Sequence, residues 1–147
     1  MDYQFKLEAL RRYRTYQEEF RQKEMADAQR LRDHEKSALD VLIALREKTE
    51  KDLRALQTKQ TTGPHLSIYG NYLDKIASDI FAQKFKLAEA QKKFEQKHAA
   101  LLVAVQKRKT LEKLKQKGLK AYFEKLNSEE AKFINEMAIN RFTMKQR

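Results

Sequence analysis

The chain has no Cys and no Trp, and only 1 Pro and 3 Gly in 147 residues. A globular domain of this size carries roughly ten Gly and seven Pro, and sheets depend on them for their turns. A β-rich fold is therefore excluded. Without cysteine there is no disulfide framework, no thiolate metal site and no cysteine nucleophile, and cysteine usage leaves the redox compartment open. Long apolar runs are missing too. The longest charge-free stretches, Gln60 to Leu73 and His98 to Gln106, fall short of the roughly 20 apolar residues that cross a bilayer. The N-terminus, Met-Asp-Tyr-Gln-Phe-Lys, has neither a basic n-region nor an apolar h-region. The expectation is a soluble, cytoplasmic chain that meets a membrane only peripherally or through a partner.

Charge is what the chain has in abundance: 36% of residues are charged, 41% are hydrophobic, and 32 Lys+Arg against 21 Asp+Glu give a net +11. The helix breakers cluster at Thr61-Thr62-Gly63-Pro64-His65, with Gly70 just beyond and only Gly118 elsewhere. Proline removes a backbone donor and glycine costs about 1 kcal/mol inside a helix. On either side lie long runs of Ala, Leu, Lys, Glu, Gln and Arg, the strongest helix formers. The reading is all-α: a single coiled-coil domain over 1–147, with one helix over about 3–59, a turn over about 60–68 and a second helix over about 69–142.

Apolar spacing gives the helices a seam. Leu7, Leu10, Ala28, Leu31, Ala38, Leu42, Leu45 and Leu56 fall on one 3,4-spaced series, interrupted by polar residues such as Arg14, Gln17 and Glu24. Tyr69, Ile76, Ile80, Leu87, Ala90, Phe94, Leu101, Leu111 and Tyr122 follow a similar series, with Lys97 as an interruption. So narrow a stripe is a coiled-coil seam rather than a globular face. Folded back antiparallel, the helices would pair Leu56 with Ile76, Leu45 with Leu87, Leu42 with Ala90, Ala38 with Phe94, Leu31 with Leu101 and Leu10 with Tyr122. Residue 1 would then face roughly residue 131, and the rest of the second helix would project as an unpaired tail. Arms of this kind run about 90 Å at about 1.5 Å per residue.

Catalytic constellations are missing. There is no Gly-rich phosphate loop and no Glu-x-x-His pair for a metal. Glu18-Glu19 and Glu129-Glu130 are neighbours in sequence, so they point to different faces of a helix and cannot work as an acid and base pair. Glu47 and Lys51 are a solvated i,i+4 pair. The expected alignment would set His34 against His98, a pairing more in keeping with seam-edge side chains than with a metal site. No enzyme activity, metal or cofactor is expected.

The charge is uneven. Residues 1–60 hold 14 Lys+Arg and 12 Asp+Glu, a net of +2, and the remainder 18 and 9, a net of +9. Lys107, Arg108, Lys109, Lys113, Lys115, Lys117 and Lys120 accompany a single acid, Glu112. A basic helix can bind nucleic acid, lie on an acidic membrane or dock against acidic protein. Taken together, these lysines do not share one face, which draws neither a groove reader nor a membrane-surface helix. Beyond them Phe133, Ile134, Met137, Ala138, Ile139 and Phe142, with Arg141, Lys145 and Arg147, would have no partner within the hairpin. Exposed apolar surface of this extent marks an interface.

The chain resembles the flagellar export protein FliJ family, a relative of the injectisome stalk proteins. The resemblance lies in Tyr3-Gln4-Phe5-Lys6-Leu7-Glu8-Ala9-Leu10 followed by Arg14 and Glu18-Glu19, in Tyr69-Gly70-Asn71-Tyr72-Leu73, and in Lys109-Thr110-Leu111-Glu112-Lys113-Leu114-Lys115 with Tyr122. It continues through Asn135-Glu136-Met137-Ala138 and Arg141-Phe142, although the family usually carries an acidic pair where this chain has Asn135-Glu136. The resemblance implies a non-enzymatic antiparallel stalk similar to the rotor subunit of rotary ATPases, at the inner face of the cell membrane at the flagellar base. Its open end would sit in the hexameric export ATPase FliI, through Leu7, Leu10, Arg11, Tyr122, Phe133, Met137, Arg141 and Phe142. Tyr72, Ile76, Asp79 and Gln83 would contact the export gate protein FlhA, and export chaperones would be further partners. The alternative left by the charge alone is a basic coiled-coil adaptor that binds nucleic acid or an acidic membrane surface.

Overall fold

The computed structural model describes residues 2–59 and 62–145; the expectations for Gln60, Thr61 and Arg147 lie outside the described residues. The chain is an all-α helical hairpin of two helices, α1 (Glu8–Thr58) and α2 (Gly63–Lys145), with no strand among the described residues. Glu8 places a carboxylate in the first turn of α1, where the helix dipole favours it. The Glu8 amide donates to the Phe5 carbonyl at 3.1 Å and the Arg11 amide to the Leu7 carbonyl at 2.8 Å. At the other end of α1 the Thr58 hydroxyl donates to the Ala55 carbonyl at 2.7 Å and the Lys59 amide to the Leu56 carbonyl at 3.2 Å. These bonds occupy carbonyls that the last turn would otherwise leave open.

α2 begins at Gly63 rather than near 69, so the connection is shorter than the break-rich sequence suggests. Pro64 stands in the first helical turn, where its missing N–H is not needed and its fixed φ suits the helix. The Leu66 amide donates to the Thr62 carbonyl at 3.4 Å. Gly70 is simply helical, with open space where a Cβ would stand.

By its contacts the chain divides into two compact units, Phe20–Leu102 and Met1–Glu19 with Val103–Arg147. In the first of these, α2 buries or half-buries Leu66, Tyr69, Leu73, Ile76, Ile80, Gln83, Leu87, Ala90, Phe94, Lys97 and Leu101. The steps alternate three and four without a break, which is the coiled-coil repeat. Ile76, 2% exposed, is the most enclosed of them. α1 answers with Arg21, Met25, Ala28, Arg32, Glu35, Leu39, Leu42, Arg46, Thr49, Leu53 and Leu56. Ala28, Leu42 and Leu56 lie in the seam as expected. Leu31 does not: it is 43% exposed, and Arg32 takes the seam position. Ala38 and Leu45 are half-buried beside Leu39 and Arg46.

The helices are antiparallel in this unit, but not in the expected alignment. Phe94 meets Arg32 rather than Ala38, Gln83 meets Glu35, and Lys97 meets Glu24 at 3.5 Å where the expected pairing would have offered Glu35. That last exchange is a slide of about eleven residues, roughly 16 Å along the helix. Its cause is the early start of α2: a shorter turn brings each α2 residue against an earlier part of α1. The same slide separates His34 from His98. Asp33 borders Leu87, Ala88 and Gln91, while His98 stacks on the Phe94 ring at 6.0 Å.

Candidate functional site

The terminal unit pairs the start of α1 with the middle of α2 through charge more than through apolar contact. α1 contributes Arg11, Arg14 and Glu18, and α2 contributes Ala104, Arg108, Leu111, Lys115, Gly118 and Tyr122. Of these, Ala104 and Leu111 are the buried apolar residues. Arg11 forks onto Glu8, with Nη2 donating to Oε1 at 2.6 Å and Nε to Oε2 at 3.0 Å, and its Nη1 reaches Glu112 at 3.1 Å. Lys115 lies 3.4 Å from the same Glu8 carboxylate and Arg12 3.5 Å. Arg108 donates to Glu18. The Arg11 hydrogen bonds, aided by Lys115, hold the Glu8 carboxyl down at about 2. Glu8 and Glu112 in turn raise the Arg11 pKa.

Ahead of α1, Tyr3 folds onto α2. Its ring lies 5.6 Å from that of Tyr122, and its hydroxyl rests where a Cβ on residue 118 would stand. Gly118 is thus the gap that admits Tyr3. A lone glycine inside a long helix-forming run was the one sequence signal for this contact; the ion pairs carried none.

After Tyr122 every described residue of α2 is exposed, so the free tail starts earlier than an alignment of residue 1 with 131 implies. Its apolar pattern also changes phase. The seam series 111, 115, 118, 122 would continue to Lys125, Glu129, Lys132 and Glu136, which are polar. The apolar residues instead follow Leu119, Phe123, Leu126, Phe133, Met137 and Met144, one residue later. One residue is about 100° of rotation, so this stripe points away from the direction α1 occupies. Ile139 and Phe142, each 63% exposed, add apolar surface on another side. Ile134, Met137, Ala138, Arg141, Phe142 and Lys145 border a shallow groove.

The candidate residues fall into different surroundings. Phe133, Met137, Arg141 and Phe142 lie together on the exposed tail, and Leu7 and Leu10 are exposed at the start of α1. Arg11 and Tyr122 are already engaged within the unit. In the other unit Tyr72 and Asp79 are exposed. Ile76 is buried in the seam, and Gln83 donates to the Glu35 carbonyl at 3.0 Å and to its carboxylate. The structure thus does not bring those four onto one open face.

The model of the flagellar FliJ protein family matches residues 3–147. The chain belongs to the flagellar FliJ family. No curated protein and no solved structure matches it. FliJ-family membership makes the chain a component of the flagellar export apparatus. The match begins at Tyr3, the residue seated over Gly118, and takes in the whole exposed tail. Among the described residues no helix is long and apolar enough to cross a membrane, and no group of three or more His, Cys, Asp or Glu could hold a metal ion.

Proposed function

We infer that this FliJ-family chain is a non-enzymatic central stalk of the flagellar export apparatus, seated by its terminal unit in the hexameric export ATPase FliI and coupling it to the export gate FlhA. The observation that carries the reading is the exposed tail after Tyr122, with apolar residues on more than one side. A helix with exposed apolar residues on more than one side gains burial when a partner wraps it, and the central hole of a ring surrounds what it holds. Phe133, Met137 and Phe142 supply the apolar contact, and Arg141 and Lys145 answer acidic groups on the sleeve. Leu7 and Leu10, exposed at the start of α1, add apolar contact of their own. A stalk does no chemistry: ring subunits that close in turn sense its asymmetric faces, and the helices pass the displacement on.

Toward the gate, the exposed Tyr72 and Asp79 are the contacting side chains, while Ile76 and Gln83 fix the helix that presents them. Export chaperones are further partners. The chain works in the cytoplasm at the inner face of the cell membrane, held there by its partners. The test is ring binding and stimulated ATP hydrolysis with the double variant Phe133→Ala, Phe142→Ala. Both should fall together, and unchanged values for both would remove the tail from the interface.

A further inference from the structure

The seam sorts the lysines of α2. Lys115 is drawn into it toward Glu8, Arg108 pairs with Glu18, and Glu112, the single acid of the run, is taken by Arg11. Of the rest, Lys109, Lys113, Lys117 and Lys120 are all exposed. Spaced four, four and three residues apart, they lie within about 80° of arc, centred opposite Leu111, Lys115 and Gly118. Contrary to the expectation from the full set of lysines, these four do share one face. None of them has an ion pair or hydrogen bond among the described residues. Gln106, Thr110, Gln116 and Ala121 flank them, and Leu114 and Phe123 lie at the margins, so the centre of the face is basic, without an ion-pair partner and free of large apolar groups.

We propose that this face is a docking surface for an acidic helix of a partner protein, separate from the apolar stripe of the tail. The chemistry of the face selects among polyanions. A membrane-surface helix must bury a continuous apolar side, and this face offers only Leu114 and Phe123 on opposite margins. A nucleic-acid surface gains from arginine forks and aromatic stacking, and here the cations are all lysine, with a single ring, Phe123, at the end of the face and turned edge-on to Tyr122. A helix lying alongside meets this one every three to four residues, so carboxylates at that spacing reach all four lysines in turn. The surface is argued from the lysines alone and stands whether or not the tail seats in a ring.

The full-length chain can be titrated with a blocked synthetic helical peptide carrying Glu at three- and four-residue spacing. The variant Lys109→Gln, Lys113→Gln, Lys117→Gln, Lys120→Gln should weaken binding about tenfold or more, as the sum of four exposed pairs. A control with the same charge change, Lys36→Gln, Lys48→Gln, Lys75→Gln, Lys86→Gln, should bind as the parent does. Equal loss in both variants would reduce the effect to net charge, and no loss in the first would overturn the site. Duplex DNA or phosphatidylglycerol vesicles held more tightly than the peptide, through the same four lysines, would overturn the protein occupant. Gln is as good a helix former as Lys, and helical melting curves verify that both variants fold.

Discussion

The Arg32 guanidinium lies over the Phe94 ring, 4.3 Å from its centre. This contact shows how α1 forms a seam where its sequence offers cations. The stem of an arginine is apolar and its head tolerates a ring face. Arg32→Ala should destabilise the hairpin by about 1 kcal/mol, within the range for a half-desolvated cation over a ring. Arg32→Lys should recover only part, since the planar stack is lost. A double-mutant cycle with Phe94→Leu isolates the pair, and a coupling near zero would show that Arg32 acts through its stem alone.

Gln83 and Glu35 form a polar layer in an otherwise apolar stretch of α2. Gln83→Ala strands the Glu35 carboxylate at the seam and should cost about 1–3 kcal/mol in thermal unfolding. Replacing both partners, Glu35→Leu with Gln83→Leu, removes the unmet need along with the bond. That double variant should be at least as stable as the parent. A double variant weaker than Gln83→Ala would mean that the layer supplies net stability rather than alignment.

Gly118→Ala sets two effects against each other. Alanine gains about 1 kcal/mol in a helix interior, but its Cβ would overlap the Tyr3 hydroxyl. Tyr3 lies in the non-helical segment ahead of α1, and the clash is with the far end of its side chain, which can swing away. The expected result is an unchanged or higher melting temperature, together with loss of the Tyr3–Tyr122 ring contact in nuclear Overhauser spectra. Persistence of that contact would show that the segment yields in some other way.

Acid should loosen the terminal unit through Glu8. Its carboxyl is held at about 2 against an ordinary 4.5, so the unfolded chain takes up this proton first. The contribution is complete above the ordinary value and disappears as pH falls from about 4.5 toward 2. Glu24, lowered by Arg21 and Lys97, acts in the same direction in the other unit. Glu8→Gln should flatten the acid dependence of amide exchange near Arg11 and Lys115. Superimposable curves for parent and variant would exclude Glu8 as the acid-sensitive group.

The α2 half of the seam was legible because its positions are occupied by Tyr69, Ile76, Ile80, Leu87, Phe94 and Leu101, whose spacing speaks directly. α1 was harder to read. Leu31 invites a seam one residue early, and the true positions include, besides the Arg14 already read as an interruption, Arg11, Arg21, Arg32 and Arg46, which polarity alone assigns to solvent. The alignment depended on where α2 starts, and a Gly-Pro pair reads equally as a turn or as a first helical turn. In the terminal unit the exposed tail was foreseen, while the Glu8 cluster was not, because pairs such as Arg11 with Glu112 join residues distant in sequence. The lysine face emerged only once the seam had claimed Lys115.

The phase change after Tyr122 makes chain length at that point carry information. Deleting one residue there, Lys125 for example, would bring Phe133, Met137 and Met144 into line with Leu111, Gly118 and Tyr122. Composition, charge balance and helix content would hardly change, yet the whole tail would be re-aimed. A screen of substitutions would find this stretch permissive, and a screen of single-residue insertions and deletions would find it intolerant. Homologues should therefore vary in residue identity here while keeping the count.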